Sequence, residues 1–282
     1  MKRSKSFEND NNLLYLVASP IGNMSEVSQR TISILNDVDV VAAEDTRNTG
    51  SLLSKLGIKK ELFSLREHNE NEASLHLIRL IKEGKKVAYL SDAGYPGISD
   101  PGYLLVQNAL KEDIRISTIS GPSAFINALV ASGLETKHFY FHGFLPAKDG
   151  EAKKELLSLV NKEETIIFYE APHRIIKTLN NIYEILGDRK AVIARELTKI
   201  NEEYIRGQLS ELITLDETSL KGEMVVLIEG NKQIEVISDD EIINKINLLR
   251  ENGLSNKGIT DKISKETNCP KNRIKKLVLE NK

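Results

Sequence analysis

Ser91–Gly102 reads S-D-A-G-Y-P-G-I-S-D-P-G and directly follows the apolar run V-A-Y-L at Val87–Leu90. A short apolar run with an abrupt glycine and proline end is typical of a buried strand that enters a tight, irregular loop. Glycine permits a positive φ and a close approach to a ligand, and ligands of open α/β sheets bind beyond the carboxyl ends of strands. The stretch therefore predicts either a ligand-binding loop or a stiff connector between strand and helix.

Strands of the same kind flank this loop on both sides. Short apolar runs at 13–18, 38–43 and 114–119 alternate with helical segments, which predicts a mainly parallel sheet in residues 13–119. A second series of strands and helices fills residues 120–232, so we expect two consecutive α/β domains with a cleft between them. Residues 233–282 show only helical periodicity, which predicts a small helical domain of the helix-turn-helix type.

Composition limits the class of protein. The chain has 282 residues, 40% of them hydrophobic and 28% charged, as in ordinary soluble proteins, and no apolar run approaches the roughly 20 residues that span a bilayer. The single cysteine, Cys269, excludes a disulfide framework and a cysteine-based zinc site, and we expect no essential metal. Residues 1–12 lack the apolar core of a secretory signal. We predict a disordered tail there and a cytosolic protein.

Charge is distributed unevenly along the chain. Residues 257–282 hold eight Lys and Arg against three acids, so the first 256 residues carry a net −7 within the total of −2. A basic end on an acidic body is typical of a protein that contacts a polyanion such as RNA. A solvated, lysine-rich helix end explains the same charges, and composition leaves both open. The candidates for RNA contact here are Lys271, Arg273, Lys275 and Lys276.

Polar clusters follow the predicted strands in both halves of the chain. They are Ser19–Asn23, Glu44–Arg47, Ser91–Asp100, Glu170–Arg174 and Arg195–Lys199. Because the carboxyl ends of parallel strands point the same way, we expect these clusters to converge on one cleft. A surface ion pair or an acidic helix start would explain any one of them alone, but the recurrence in both halves favours a functional site.

Several common mechanisms lack their motifs in this sequence. No G-x-G-x-x-G follows the first strand, and there is no P-loop, which argues against dinucleotide binding and nucleotide hydrolysis. Neither H-E-x-x-H nor the nucleophile elbow G-x-S-x-G occurs. The cleft must therefore serve another chemistry.

Nine ordered motifs between about Leu13 and Glu229 carry a resemblance to a known family. They are L-Y-L-V-A-S-P-I-G-N, A-A-E-D-T-R, E-H-N-E, S-D-A-G-Y-P-G-I-S-D-P-G, G-P-S-A, F-H-G-F-L-P, F-Y-E-A-P-H-R, A-R-E-L-T-K and K-G-E-M. Together they resemble the ribosomal RNA small subunit methyltransferase I family of the tetrapyrrole methylase superfamily, and the helical end resembles that family's C-terminal domain. Tyr95 stands where a smaller residue is usual, and Ser120 where proline is usual; Tyr95 could narrow the cleft.

The resemblance implies a reaction and its components. S-adenosylmethionine would be the methyl donor, bound folded in the cleft, and the product would be a 2′-O-methylated cytidine in the decoding centre of 16S rRNA. It implies a homodimer as well. The donor would be surrounded by Ser91, Asp92, Ala93, Gly94, Gly97, Ile98, Ser120, Gly121, Ser123, Tyr169, Glu170 and Ala194. The first-strand loop would form part of the substrate trough and place Pro20, Gly22 and Asn23 beside RNA.

A ribose hydroxyl is a poor nucleophile, which defines the catalytic groups to look for. In-line positioning supplies much of the rate, and a nearby base or cation favours the alkoxide. The candidates are Glu44, Asp45, Arg47, Glu170, His173, Arg174, Glu196 and Lys199. Lys199 or Arg47 would stabilise the oxyanion and Glu170 or Glu196 would accept the proton, but the sequence does not single out the base.

Two other functions stay open at this point. A methyltransferase of the same fold that acts on a small tetrapyrrole would resemble its relatives in a first-strand loop G-x-G-P-G, which S-P-I-G-N at Ser19–Asn23 is not. A non-catalytic RNA-binding factor for ribosome assembly would explain the basic end but not the glycine-rich loop. Donor binding separates the second alternative from the enzyme.

Overall fold

Two five-stranded sheets organise the larger part of the computed structural model, which describes residues 3, 5, 13–232, 238–267, 269 and 271–281. The described residues divide into two compact units, one within 1–231 and one within 232–282. Apart from Arg3 and Lys5, the predicted disordered tail lies outside the described residues. The boundaries predicted at 119/120 and 232/233 stay predictions.

The first sheet is entirely parallel. Its strands are β1 Leu13–Val17, β2 Val40–Ala43, β3 Glu61–Ser64, β4 Val87–Leu90 and β5 Arg115–Ile119. They lie in the order β3-β2-β4-β1-β5. The helices between them are α1 Gln29–Asp37, α2 Thr46–Lys55, α3 Glu70–Lys82 and α4 Tyr103–Lys111. The parallel sheet is as predicted, whereas β3 has no counterpart among the predicted strands, because its four residues E-L-F-S are partly polar and lie at the sheet edge.

Both faces of the first sheet are buried. Alternate residues of a strand point to opposite faces, and here Tyr89 packs with Leu77 of α3 and Leu105 of α4. On the other face, Leu90 packs with Leu35 of α1 and Leu53 of α2. Burial on both faces explains why the strands of this sheet are continuous apolar runs in the sequence.

The second sheet is mixed. Its strands are β6 Phe139–Phe144, β7 Thr165–Glu170, β8 Lys190–Arg195, β9 Glu203–Gln208 and β10 Met224–Ile228, in the order β6-β7-β10-β8-β9. The helices are α5 Ala124–Ser132, α6 Asp149–Ser158, α7 Ile175–Leu186 and the single turn α8 Leu209–Leu212. Because β10 is antiparallel to both β7 and β8, the carboxyl ends of β7 and β8 lie beside the start of β10.

The second unit is helical, as the sequence predicts. Its helices are α9 Asp239–Glu251, α10 Asn256–Thr267 and α11 Lys271–Glu280. Ile242, Ile259 and Ile274, one from each helix, are fully buried in its core. Among all the helices that the structure describes, none is long and apolar enough to cross a membrane.

A buried carboxylate fixes the far end of the Ser91–Gly102 loop. Oε1 of Glu70, in the first turn of α3, accepts hydrogen bonds from the backbone N–H groups of Gly102 (2.8 Å), Leu104 (2.8 Å) and Leu105 (3.4 Å). These donors belong to the start of α4, which has no side-chain cap of its own, so Glu70 satisfies groups that a helix leaves unpaired. The Tyr89 hydroxyl also donates to the Pro101 carbonyl at 2.9 Å.

Removal of this carboxylate destabilises the fold. We expect Glu70→Ala to lower the free energy of unfolding by about 2 to 3 kcal/mol, because it leaves buried N–H groups without a charged acceptor, and Glu70→Gln to cost less because an oxygen remains. Urea unfolding measures both. Glu72→Ala on the exposed side of the same helix is the control, and a Glu70→Ala loss no larger than that of the control would show that the carboxylate is dispensable.

Candidate active site

A cavity of about 610 Å³ lies where the strand ends of the two sheets meet. The first sheet contributes the loops after β1, β4 and β5, and the second contributes the ends of β6, β7 and β8 with the start of β10. The size is within the range of small-molecule sites. Clusters that the sequence places after separate strands are thus brought to one place.

The loops after β1 and β4 are joined to each other. Ser19 N donates to the Gly94 carbonyl (2.8 Å), Gly94 N donates to the Ser19 carbonyl (3.0 Å), and Ser19 Oγ donates to the Ser91 carbonyl (2.7 Å). Ser19 and Ser91 are both buried. The polar side chains here therefore hold the wall of the cavity in shape and leave Ala93 and Gly94 on its surface.

The predicted groups at the end of β2 form a helix start. Asp45 caps α2 by accepting from Arg47 N (2.9 Å), and its carboxylate pairs with the Arg47 guanidinium (2.6 Å). The guanidinium side chain is 85% exposed. Its hydrogen bonds to Asp45, followed by the backbone bond, hold the pKa of Asp45 well below its usual range. Neither residue lines the cavity.

Asp92 is also turned towards this helix start. Its carboxylate accepts from Asp45 N (3.2 Å) and from Asn48 Nδ2 (2.7 Å). Its own backbone N–H donates to the Glu44 carboxylate at 3.4 Å. Asp92 thus connects the loops after β2 and β4, and it does not line the cavity.

Asp100 lines the cavity, and its carboxyl group has a strongly raised pKa. Burial, and after it the negative charges of Glu44 and Asp92, raise the pKa of Asp100 to about 7, although a hydrogen bond from Ser91 acts in the opposite direction. Burial raises the pKa of Glu44 as well. The sequence contains Asp100 in its central loop but gives no sign that this carboxyl group turns inward.

On the opposite wall, Lys199 lies between two carboxylates. Its Nζ donates to Glu196 Oε1 and to Glu223 Oε2, each at 3.0 Å. Burial alone would lower the pKa of Lys199, but the bonds to Glu223 and Glu196 outweigh it and raise that pKa. Gly222 has a φ of +86°, and a Cβ there would lie 2.1 Å from Glu196 Oε1. Only glycine therefore leaves room for the Glu196 carboxylate in this position.

Glu170 lines the cavity, but its carboxylate is engaged on both oxygens. Oε1 accepts from Ala171 N (2.8 Å) and faces Arg174 Nε at 3.3 Å, and Oε2 accepts from Thr178 Oγ1 at 2.5 Å. The side chain is 1% exposed. Arg174 in turn donates to the carbonyls of the loop after β6. These bonds fix the orientation of the Glu170 carboxylate. His173, next to Arg174, is exposed.

The structure places eight of the 22 site residues predicted within residues 13–231 on the cavity wall. Those that line it are Ala93, Gly94, Ile98, Ser123, Tyr169, Glu170, Glu196 and Lys199. Those that do not are Pro20, Gly22, Asn23, Glu44, Asp45, Arg47, Ser91, Asp92, Gly97, Ser120, Gly121, His173, Arg174 and Ala194. Several of these still border lining residues: for example, a Cβ on Gly22 would lie 2.6 Å from Lys199 Cγ, and Gly121 N donates to the Tyr95 hydroxyl at 3.2 Å.

Thirteen other residues line the cavity and were not predicted individually as site residues, although seven of them lie within the predicted polar clusters. They are Ile21, Tyr95, Ser99, Asp100, Ala124, Phe144, Ala171, Pro172, Leu197, Gly222, Glu223, Met224 and Val225. Most are apolar and carry no chemistry that a sequence pattern would single out. Position in the quoted motifs was the available signal, because Phe144 belongs to F-H-G-F-L-P and Glu223 to K-G-E-M.

The basic candidates of the second unit are partly paired. Lys271 Nζ contacts Asp261 at 2.6 Å, Arg273 contacts Asp239 at 2.6 Å, and Lys276 faces Glu280 at 3.8 Å. Lys257 and Lys275 also lie near Asp261. Among the described residues, no three His, Cys, Asp or Glu side chains are grouped so that they could hold a metal ion.

Comparison with known proteins places the chain in a family. Residues 13–213 match the profile described as Tetrapyrrole (Corrin/Porphyrin) Methylases. The chain is 43% identical over 252 residues to ribosomal RNA small subunit methyltransferase I of Streptococcus pyogenes serotype M3 (strain ATCC BAA-595 / MGAS315), covering 87% of this chain and 88% of that protein. The chain belongs to the ribosomal RNA small subunit methyltransferase I family. The Bacillus subtilis (strain 168) member is 43% identical over 244 residues, with 86% and 84% covered.

Membership makes the chain a methyltransferase, and solved structures confirm the predicted tetrapyrrole-methylase fold. The methyltransferase CobJ superposes with a TM-score of 0.59 at 17% identity, covering 78% of this chain and 94% of that chain. Cobalt precorrin-4 methyltransferase CbiF gives 0.56 at 18%, with 77% and 95% covered. Diphthine synthase gives 0.59 at 15%, with 77% and 89% covered. At these identities the likeness concerns the fold alone.

The displaced pKa of Asp100 predicts a pH-dependent effect on stability. Its folded-state pKa lies above the unfolded value, so the folded protein holds this proton between about pH 4 and 7, and stability is lost as the pH rises through that window. We expect Asp100→Asn to stabilise the protein at pH 8 by about 1 to 2 kcal/mol, after a discount for solvent screening, and to change little at pH 5.

Urea unfolding at the two pH values measures the difference. Glu72→Gln, the same carboxyl-to-amide change at an exposed position, controls for the general effect of charge. An Asp100→Asn effect that is equal at pH 5 and pH 8 would contradict the raised pKa.

Proposed function

We propose that this chain transfers a methyl group from S-adenosylmethionine to the ribose 2′-hydroxyl of a cytidine in the decoding centre of 16S rRNA. Relatives at 43% identity over more than four fifths of both chains, named ribosomal RNA small subunit methyltransferase I, support the rRNA substrate. The observation that carries the proposal is the cavity between the two sheets, on whose wall Lys199 lies between the carboxylates of Glu196 and Glu223.

The cavity suits a folded nucleoside with a cationic centre. Its surface is largely apolar, and Gly94, Ser123 and Tyr169 lie on its wall. The negative charges of Glu44 and Asp92, which act on Asp100 in the cavity wall, favour a positively charged ligand, and such a ligand would in turn favour the ionised form of Asp100. When bound, the donor supplies an electrophilic methyl group on a sulfonium. The residues that would hold it belong to the loops 91–98 and 120–123 and to the end of β7.

We propose that Lys199 stabilises the negative charge that develops on the ribose oxygen. Its ammonium lines the cavity, and its pKa is raised, so it stays charged at neutral pH. Fixed positive charge aimed at an oxygen that gains negative charge lowers the barrier. The exposed Arg47, the other candidate, is paired with Asp45 away from the cavity.

We assign Glu196 as the general base that accepts the proton of the ribose hydroxyl. Its Oε1 accepts from Lys199 Nζ and, at 3.3 Å, from Glu223 N. Glu170 has both oxygens engaged in a nearly fully buried network, which suits positioning better than proton transfer. The pair of Glu196 and Lys199 would thus accept the hydroxyl proton and stabilise the oxygen that loses it.

A tetrapyrrole substrate is the less favoured alternative. The solved structures named for porphyrin and precorrin methyltransferases share 17–20% identity with this chain, against 42–45% for the rRNA enzymes. The proposal includes a homodimer that acts on the small ribosomal subunit, as the sequence resemblance implies, and a cytoplasmic location, as the composition predicts.

The test is methyl incorporation from labelled S-adenosylmethionine into small ribosomal subunits that lack the modification. Mapping the alkali-resistant nucleotide locates the product. A label at one decoding-centre cytidine would support reaction, donor and substrate together. Donor binding without a labelled RNA would refute the substrate, and absence of donor binding would refute the reaction as well.

Substitutions test which of the two candidates, Lys199 or Arg47, stabilises the oxyanion. We expect Lys199→Met to lower kcat for methyl transfer by roughly 10²-fold, because it removes one donor to the oxyanion, and Arg47→Met to leave kcat within about twofold, because an exposed ion pair contributes little. Single-turnover assays with saturating donor measure both. A large loss in Arg47→Met with full activity in Lys199→Met would reverse the assignment.

A further inference from the structure

An aromatic ring on the cavity wall has no role in the chemistry described above. Phe144, the last residue of β6, lines the cavity and is 54% exposed. A half-exposed phenyl ring on the wall of a binding cavity offers a flat apolar face to whatever enters from solvent. Within the proposed function, the entering group is a nucleotide of rRNA.

A β-bulge turns this ring towards the cavity. The pairing of β6 with β7 runs Phe141 to Ile167 and then Gly143 to Phe168, so His142 is an extra residue in the ladder. In a regular strand, residues 141 and 144 would point to opposite faces. The bulge puts both rings on Tyr169, with centroids at 5.1 Å and 5.5 Å. Bulges next to sites commonly re-aim a side chain in this way.

Gly143 makes the bulge possible. Its φ is +81°, which residues with a side chain rarely adopt, and a Cβ there would lie 3.2 Å from Ser99 Oγ of the loop after β4. Ser99 itself lines the cavity. The glycine therefore both re-aims Phe144 and lets the two cavity walls approach each other.

The ring is held in place from behind. Arg174 donates to the carbonyls of Leu145 (3.0 Å) and Pro146 (3.3 Å), the two residues that follow Phe144. Arg174 is itself fixed by the buried Glu170. Tyr169 contacts Phe144 on one side and Phe141 on the other. Arg174 thus holds the backbone next to Phe144, and the ring contacts Tyr169 before any ligand arrives. Such preorganisation reduces the entropy cost of stacking.

We propose that Phe144 is the stacking platform for the base of the nucleotide that is methylated. Aromatic side chains stack on unpaired bases, and proteins that recognise RNA by sequence act mostly on bases that have left the helix. A base can reach a ring in a cavity wall only after it has unstacked from its neighbours. The substrate is therefore a cytidine that is splayed out of the RNA, and this inference rests on the proposed function.

The adenine of the donor is the other flat base that could reach this ring. Adenine is a genuine competitor, because Tyr169, which is predicted to contact the donor, also contacts Phe144. Phe144, however, is the last residue of β6, and about half of its surface faces solvent. We therefore commit to the RNA base and let the experiment separate the two.

Kinetics of Phe144 variants on unmodified small ribosomal subunits test the platform. We expect Phe144→Ala and Phe144→Leu each to lower kcat/KM by roughly 10- to 100-fold, the range for loss of one stacked base, and Phe144→Trp to stay within about threefold. Leucine preserves apolar volume without a π face, so it separates stacking from simple packing. Leu157→Ala, at an exposed position outside the cavity, is the control.

Donor affinity is measured on the same variants by calorimetry with S-adenosylhomocysteine. The inference requires affinities within about twofold of wild type. The chain has no tryptophan, so Phe144→Trp also provides a single tryptophan that can be excited selectively, and we expect S-adenosylhomocysteine alone to leave the tryptophan emission nearly unchanged.

Three results would overturn the inference. Wild-type kinetics in Phe144→Leu would show that no π face is needed. A tenfold loss of donor affinity in Phe144→Ala, or strong quenching of Phe144→Trp by S-adenosylhomocysteine, would assign the ring to adenine. If the wild-type protein labels no RNA, the proposed function itself fails, and the inference fails with it.

Discussion

The carboxylate of Glu70 holds the Ser91–Gly102 loop, and the architecture of the cavity depends on that bond. This carboxylate is buried at the start of α3 and accepts hydrogen bonds from three backbone N–H groups at the start of α4. A loop with so many glycines and prolines has few regular hydrogen bonds of its own, so its shape depends on such external partners. Glu70 fixes one end of the loop, and Ser19 joins the other end to the loop after β1. The loop can therefore present Asp100 and exposed backbone groups to a ligand.

In the second half of the chain, another buried glutamate supports a loop of the cavity. Glu170, almost fully buried, is saturated by Thr178, a backbone N–H and Arg174, and Arg174 continues to the loop that carries Phe144. In both halves a glutamate with little freedom supports a loop that faces the cavity. These contacts support the proposal that Glu170 positions the site and that Glu196, paired with Lys199, accepts the proton.

The order of strands and loops could be predicted because apolar runs with glycine or proline ends are local signals. The short polar edge strand β3 carries no such signal and was missed. Position after a strand predicts the neighbourhood of a side chain but not its direction, so Asp45 and Asp92 lie near the cavity yet bind backbone and helix groups. The inward turn of Asp100 and the re-aiming of Phe144 come from tertiary burial and a bulge, which no local pattern shows.

The central claim is that the cavity between the two sheets binds the methyl donor, and a crystal structure with S-adenosylhomocysteine tests it most directly. We predict the ligand between the walls, in contact with Gly94, Ser123 and Tyr169 and on the side of Asp100. A ligand bound elsewhere on the protein, with this cavity empty, would contradict the claim.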